Sequence, residues 1–169
     1  AAECAGRNDA AVIILGRTAG EDRDNAEAPG SWLLTEGEEE LLSVVHRHFR
    51  RTVVVLNVGN IIDMNWVERY SPAAVLYAWQ GGQEHGNAVA DVLTGRVAPC
   101  GRLTDTIACS IGDYPSNEDF GDPDRLLYTE DVYVGYRYFE TFAKDRVLYP
   151  FGSGLSYTTF AHQPVDFHW

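Results

Sequence analysis

Three short apolar runs constrain this chain more than any other feature: AVIIL at residues 11–15, TVVVLNV at 52–58 and AAVLYAW at 73–79. Each is continuous and aliphatic or β-branched, without the polar alternation of a half-exposed sheet. That pattern belongs to parallel strands covered on both faces. Helical spacing lies between them. Thr35, Glu36, Gly37 and Glu38 fit a capping box with Thr35 as N-cap and Glu38 at the third helical position, and Leu41, Leu42, Val45 and Phe49 then recur on one face. Acidic residues crowd that first turn and His48, Arg50 and Arg51 follow at its end, which complements the helix dipole.

Asp63 to Tyr70 and Gln83 to Leu93 read as further helices, the second turning Val89, Val92 and Leu93 inward and ending at Gly95. Strand and helix in alternation imply right-handed crossovers, hence an α/β fold: a three-layer α/β/α sandwich with a mostly parallel sheet. Beyond Pro99 turn formers take over. Asp131 to Phe142, carrying Tyr133, Tyr136, Tyr138, Phe139 and Phe142, reads as a strand that adds an antiparallel edge. Three parallel strands are few for such a domain, so an incomplete domain is expected over residues 1–160, with 161–169 as a tail.

The balance of charge narrows the partners. Against 25 acidic residues stand only 13 basic ones, a formal charge of −12 that repels phosphate backbones and anionic membrane surfaces. Neither nucleic acid nor membrane is an expected partner, and no apolar run approaches the ~20 residues of a membrane span. The chain's 45% hydrophobic content is enough for a sizeable core in 169 residues. Cys4, Cys100 and Cys109 cannot all pair and show no C-x-x-C spacing, so they are expected as free, buried thiols, which favours a reducing, cytoplasmic setting. No metal site is expected: His46 and His48 fall on different faces of their helix, while His85, His162 and His168 have no evident partners.

Several familiar chemistries lack their motifs. There is no G-x-G-x-x-G after a strand, no phosphate-loop G-x-x-x-x-G-K-[ST] and no G-x-S-x-G, so no nucleotide or other cofactor is expected. GSGLS at 152–156 is turn chemistry. The loop after the first strand is different. GRTAGEDRDN at 16–25 places Arg17, Glu21, Asp22, Arg23 and Asp24 at the carboxyl edge of a parallel sheet, where ligands bind in open α/β folds. The loop runs to about residue 31, far beyond the usual two to six residues of such connections. By composition alone it reads first as a solvated charged loop, because charge runs mostly face water.

A resemblance gives this loop a chemistry. ILGRTAGEDRDN, VVVLNVGNIIDMNW, AVLYAWQGGQEHGNAVADVLTGRVAPCGRL, YTEDVYVGYRYFET and LYPFGSGLSYTTF occur in this order from about Asp9 to Phe160. Together they resemble the α/β sandwich domain of the family 3 glycoside hydrolases, the β-glucosidase-like enzymes. The resemblance implies an active site shared with a (β/α)8-like barrel that supplies the nucleophilic Asp and most sugar contacts. It implies that Glu21, after Gly20, is the general acid/base, with Arg17, Asp22, Arg23 and Asp24 binding substrate or anchoring the loop. The family pattern R-x-x-G-E-G-x-D-R departs here: its second Gly is absent and the Asp-Arg pair is moved closer, which leaves the roles of Asp22, Arg23 and Asp24 open.

A carboxyl group suits that role. Retaining glycosidases hold two carboxyl groups about 5 to 5.5 Å apart, one attacking the anomeric carbon and one protonating the leaving oxygen before activating water. The donor must stay protonated at working pH, through burial or a neighbouring negative charge. No Ser-Asp-Trp nucleophile motif is present, and Asp91, Asp105 and Asp113 do not fit that role. The expectation is therefore part of an enzyme acting on terminal β-linked sugars and inactive alone. Its expected partners are a carbohydrate substrate, the barrel and, because an apolar face would lie open, another copy of itself. A non-catalytic interaction domain pairing with a barrel or with itself is the alternative; a flavodoxin-like binder lacks its phosphate loop.

Overall fold

The structure, a computed structural model, describes residues 1–18, 24–161 and 163–166. A short helix α1 (Ala2–Ala5) leads into strand β1 (Ala11–Gly16), helix α2 (Glu36–His48), strand β2 (Thr52–Asn57), helix α3 (Trp66–Tyr70), strand β3 (Ala74–Tyr77) and helix α4 (His85–Leu93). The strands pair in the order β1-β2-β3, all parallel, with Ile13 opposite Val54 and Val54 opposite Val75. A second sheet joins strand β4 (Ile107–Ala108) antiparallel to strand β5 (Val147–Tyr149), with helix α5 (Tyr136–Phe142) between them in sequence. The arrangement is a three-layer α/β/α sandwich with a mostly parallel sheet and an antiparallel pair.

The capping box forms as its residues predict. Glu38 N–H donates to Thr35 Oγ1 at 3.2 Å, and Thr35 N–H returns a bond to Glu38 Oε2 at 2.8 Å. Helix α2 starts where it does because these two residues satisfy two of its orphan amides. Leu42 of α2 and Trp66 of α3 then bury themselves with Ile13, Leu15, Val54, Leu56, Val58 and Ile62 in the main core. A smaller cluster of Ala108, Phe139 and Ala143 sits around the antiparallel pair, flanked by Tyr114, Tyr138 and Val147.

Four expectations are corrected. Burial on both faces holds for the centre of β2 but not for β1: Ile13 and Leu15 are buried, whereas Val12 and Ile14, pointing to the opposite face, are 52% and 65% exposed. A strand's side chains alternate, and only one side of β1 is covered by packed elements. Leu93 is likewise exposed, and none of α4 is fully buried. Residues 131–142 are no strand: Asp131 and Val132 lie in a turn, Tyr133 and Val134 are irregular and Tyr136–Phe142 is α5. Tyr136, Phe139 and Phe142 fall three apart, one helical face, and Gly135 takes a left-handed φ of 59° that ends any extended course before the helix. The antiparallel pairing is made instead by β4 and β5. Finally, Cys4, Cys100 and Cys109 are all exposed, because they stand on a short solvated helix and on irregular chain rather than on core-facing positions.

Candidate active site

The carboxyl ends of the three parallel strands meet at one edge, and the loops leaving them build a common rim. Arg17 follows β1, Gly59 to Ile61 follow β2, and Trp79 and Gln80 follow β3. Glu21, Asp22 and Arg23 lie outside the described residues. Arg17 and Asp24 flank them and have separate surroundings, with no ion pair joining the two among the described residues.

Arg17 is held from several directions. Its amide donates to Asn57 O at 3.1 Å, extending the β1-β2 ladder by one residue, and its carbonyl accepts from Gln80 Nε2 at 3.1 Å. The side chain, 8% exposed, pairs with both carboxylate oxygens of Glu38: Nη1 meets Oε1, and Nη2 donates to Oε2 at 2.7 Å. Nη1 also donates to Gly16 O at 3.0 Å and Nη2 to Leu33 O at 3.4 Å, so only Nε is left without a partner. Burial pushes the Glu38 carboxyl up, but the Arg17 guanidinium and the Thr35 amide together outweigh it and hold the group below the usual carboxylate range.

The far end of the same loop is also fixed. Asn25 Nδ2 donates to Ile61 O at 2.8 Å and Asn25 Oδ1 accepts from Asn60 Nδ2 at 3.4 Å. A turn then brings Ala26 N–H to Ser31 Oγ at 2.9 Å and Trp32 N–H to Ala26 O at 3.1 Å. Trp32 is buried, with its carbonyl accepting from Asp63 N–H at 2.9 Å and its ring edge-on to Tyr114, centroids 6.0 Å apart. Thus the charged loop enters through a clamp at Arg17 and leaves through a clamp at Asn25.

Between these loops lies an open cleft of about 380 Å³, whose wall includes Asp24, Asn60, Trp79, Asp105, Tyr114 and Phe120. Two tyrosines stiffen it. Tyr77 OH donates to Asn60 O at 2.9 Å and accepts from Ile62 N–H at 3.2 Å; Tyr114 OH donates to Thr106 O at 2.8 Å and accepts from Ala108 N–H at 3.0 Å. Burial pushes both phenols up, that of Tyr114 to about 12, so each keeps its proton and acts as a fixed donor. No group of three or more metal-ligating side chains occurs among the described residues.

Sequence reading found the loop but missed most of what holds it. Glu38 was legible as a capping residue only, and nothing local marks its second partner, Arg17, 21 positions earlier. The roles of Asn25, Asn60 and Gln80 depend equally on contacts between distant loops. Trp79 carried one available signal, a bulky ring just past a strand at the sheet's carboxyl edge.

With its parallel strands gathering their loops at one carboxyl edge, the chain is a three-layer α/β domain, and comparison supplies the family. Residues 1–157 match the glycosyl hydrolase family 3 C-terminal domain, and the chain belongs to that family. It is 56% identical to a beta-glucosidase of Ruminococcus albus over 153 residues, covering 90% of this chain and 16% of that protein. Among solved structures, it superposes with a TM-score of 0.90 on a beta-glucosidase from Paenibacillus barengoltzii, at 54% identity, over 95% of this chain and 18% of the other. Beta-glucosidase 3B from Thermotoga neapolitana, solved in complex with alpha-D-glucose, gives a TM-score of 0.85 at 39% identity, over 93% of this chain and 23% of that one. The chain therefore spans about a fifth of the length of these relatives.

Proposed function

We propose that this domain supplies the general acid/base, Glu21, to a retaining hydrolysis of terminal β-linked sugars, in company with a (β/α)8 barrel that supplies the nucleophile. The observation that carries this reading is the double clamp: Arg17 and Asn25 bracket the Glu21 segment, each tied to neighbouring strand ends or their loops. A general acid works only when held within hydrogen-bond reach of the leaving oxygen, so a loop with both ends fixed suits the task. Glu38 absorbs the charge of Arg17 in a paired, hydrogen-bonded site. Arg17 is thereby engaged in anchoring the loop, its favourable interaction with a carboxylate already used on Glu38. Asp24, at the cleft rim, adds negative charge near the segment, which favours the protonated form of a nearby carboxyl.

In the reaction, the Glu21 carboxyl passes its proton to the glycosidic oxygen as the barrel's carboxylate attacks the anomeric carbon. The resulting carboxylate then takes a proton from water as that water attacks the glycosyl intermediate. Alone, the domain lacks a nucleophile and most of the sugar pocket, and protonation without them forfeits most of the catalysis. The test is hydrolysis of a panel of aryl β-glycosides by the chain alone and by the chain mixed with a family 3 barrel domain. Activity in the mixture and none in the lone chain is expected; turnover by the lone chain would show that the nucleophile is present here after all.

The interaction-domain reading has one observation of its own, the open face of β1 at Val12 and Ile14. It predicts no activity in any mixture, together with self-association of the chain.

A further inference from the structure

We propose that the outer face of α5 is a self-association surface, on which a second copy of this chain packs across a two-fold axis with Arg137 of each copy against Glu140 of the other. The inference does not depend on the role of Glu21, and the surface is distinct from the open face of β1.

Helix α5 has two sides of opposite character. Phe139 is buried with Ala108 and Ala143 in the smaller core cluster. On the other side, Tyr136, Arg137 and Glu140 line a shallow open groove with Val132, Tyr133 and Val134, and the two valines are 62% and 50% exposed. The rings in this groove are braced from behind. Tyr133 stands edge-on to Phe142 with centroids 4.9 Å apart, and Tyr136 stacks on Phe151 at 4.5 Å and 22°. An exposed apolar surface rimmed by charged side chains marks an interaction site.

The charged groups select the partner. The Arg137 guanidinium lies over the Tyr136 ring, 5.3 Å from its centroid, and meets no carboxylate among the described residues. A tyrosine and an arginine held in this way are the side chains that most often anchor protein interfaces. Glu140 meets Lys144 at 2.9 Å, an exposed pair worth little to the isolated chain. Arg137 and Glu140 stand three residues apart, on one side of the helix. If two copies of α5 cross antiparallel about an axis between residues 138 and 139, Arg137 of each copy faces the partner's Glu140, so both ion pairs form at once and the contact is isologous. A parallel crossing would set Arg137 against Arg137.

The chain carries a formal charge of −12, so two copies repel each other over most of their surface. The α5 face is locally balanced, with Asp131 and Glu140 offset by Arg137 and Lys144. Here two copies can approach without that repulsion. The groove has eight lining residues per copy, against roughly 20–30 on each side of a standard interface, which makes the dimer a weak one.

The test is sedimentation equilibrium of the chain across the micromolar range, with thermal melts to verify that each variant is folded. The wild type is expected to show a concentration-dependent monomer–dimer equilibrium. Arg137→Glu and Glu140→Arg, each alone, weaken it by at least about tenfold, because like charges then face each other twice. An equimolar mixture of the two variants associates at least as tightly as the wild type, since every facing pair is again opposite in sign. Arg7→Glu, which makes the same change of net charge at an exposed site on another part of the chain, leaves the equilibrium within about threefold of wild type. A wild type that is monomeric throughout, single variants that associate like the wild type, or a mixture that fails to associate overturns the proposal. So does association that Ile14→Thr abolishes and Arg137→Glu leaves intact, which would place the contact on β1.

Discussion

Arg17 and Glu38 form a two-pronged ion pair in which a single carboxylate both receives the guanidinium and caps the first turn of α2. The consequence is mechanical: the entry of the charged loop and the start of the helix covering the core move as one unit.

Replacing Arg17 breaks that unit. Arg17→Ala leaves Glu38 partly buried with only the Thr35 amide, and loss of one partner of a buried pair costs about 3–5 kcal/mol, here toward the lower end because the amide remains. For a domain of this size that is a fall in Tm of roughly 6–12 °C. Arg17→Lys, which keeps the charge but not the fork, restores only part of it. Thermal melts of the three proteins measure the difference.

The same pair sets an acid limit. The carboxyl of Glu38 is held below its ordinary value, so its contribution is present above the unfolded-state pKa, about 4.3, and is lost as pH falls through the lower folded value. Urea midpoints are expected to fall more steeply below about pH 4.5 in the wild type than in Glu38→Gln, which is less stable at neutral pH and less sensitive to acid. Parallel curves for the two would contradict this.

Tyr77→Phe removes one hydroxyl from two partners, Asn60 O and Ile62 N–H. Leaving those groups unpaired costs about 1–3 kcal/mol. Because Tyr77 also supports Trp79, the variant is expected to shift tryptophan fluorescence in the folded state as well as the denaturation midpoint.

Two neighbouring residues of β1 test which face of the sheet is covered. Ile13→Thr puts a hydroxyl into the core and removes buried methyl surface, a loss of about 2–4 kcal/mol. Ile14→Thr, one residue on and pointing the other way, is expected to change stability by less than about 0.5 kcal/mol and to improve solubility. Equal destabilisation by both would mean that the second face is packed in solution.

Much of this architecture is legible in local sequence because local physics determines it. The apolar runs at 11–15, 52–58 and 73–79 became the three parallel strands within one or two residues, and Thr35 with Glu38 fixed the start of α2 through bonds only three residues apart. What stayed hidden is non-local. Aromatic density made 131–142 look extended, whereas the i, i+3 spacing of Tyr136, Phe139 and Phe142 was the controlling pattern. Arg17 looked equally suited to substrate or to anchoring, and only the approach of α2 decides that its guanidinium meets Glu38. The open face of β1 was invisible because an apolar run says that a strand favours cover, not that this chain supplies it.

The central claim is that Glu21 transfers the proton. Its most direct test is the rate of glycoside cleavage by the chain combined with a family 3 barrel, wild type against Glu21→Gln, across leaving groups of increasing basicity. The account predicts a loss of about 10²–10⁴-fold on alkyl glycosides, which need the proton, shrinking toward a small effect on dinitrophenyl glycosides, which do not. A loss independent of the leaving group, or no loss at all, would contradict it.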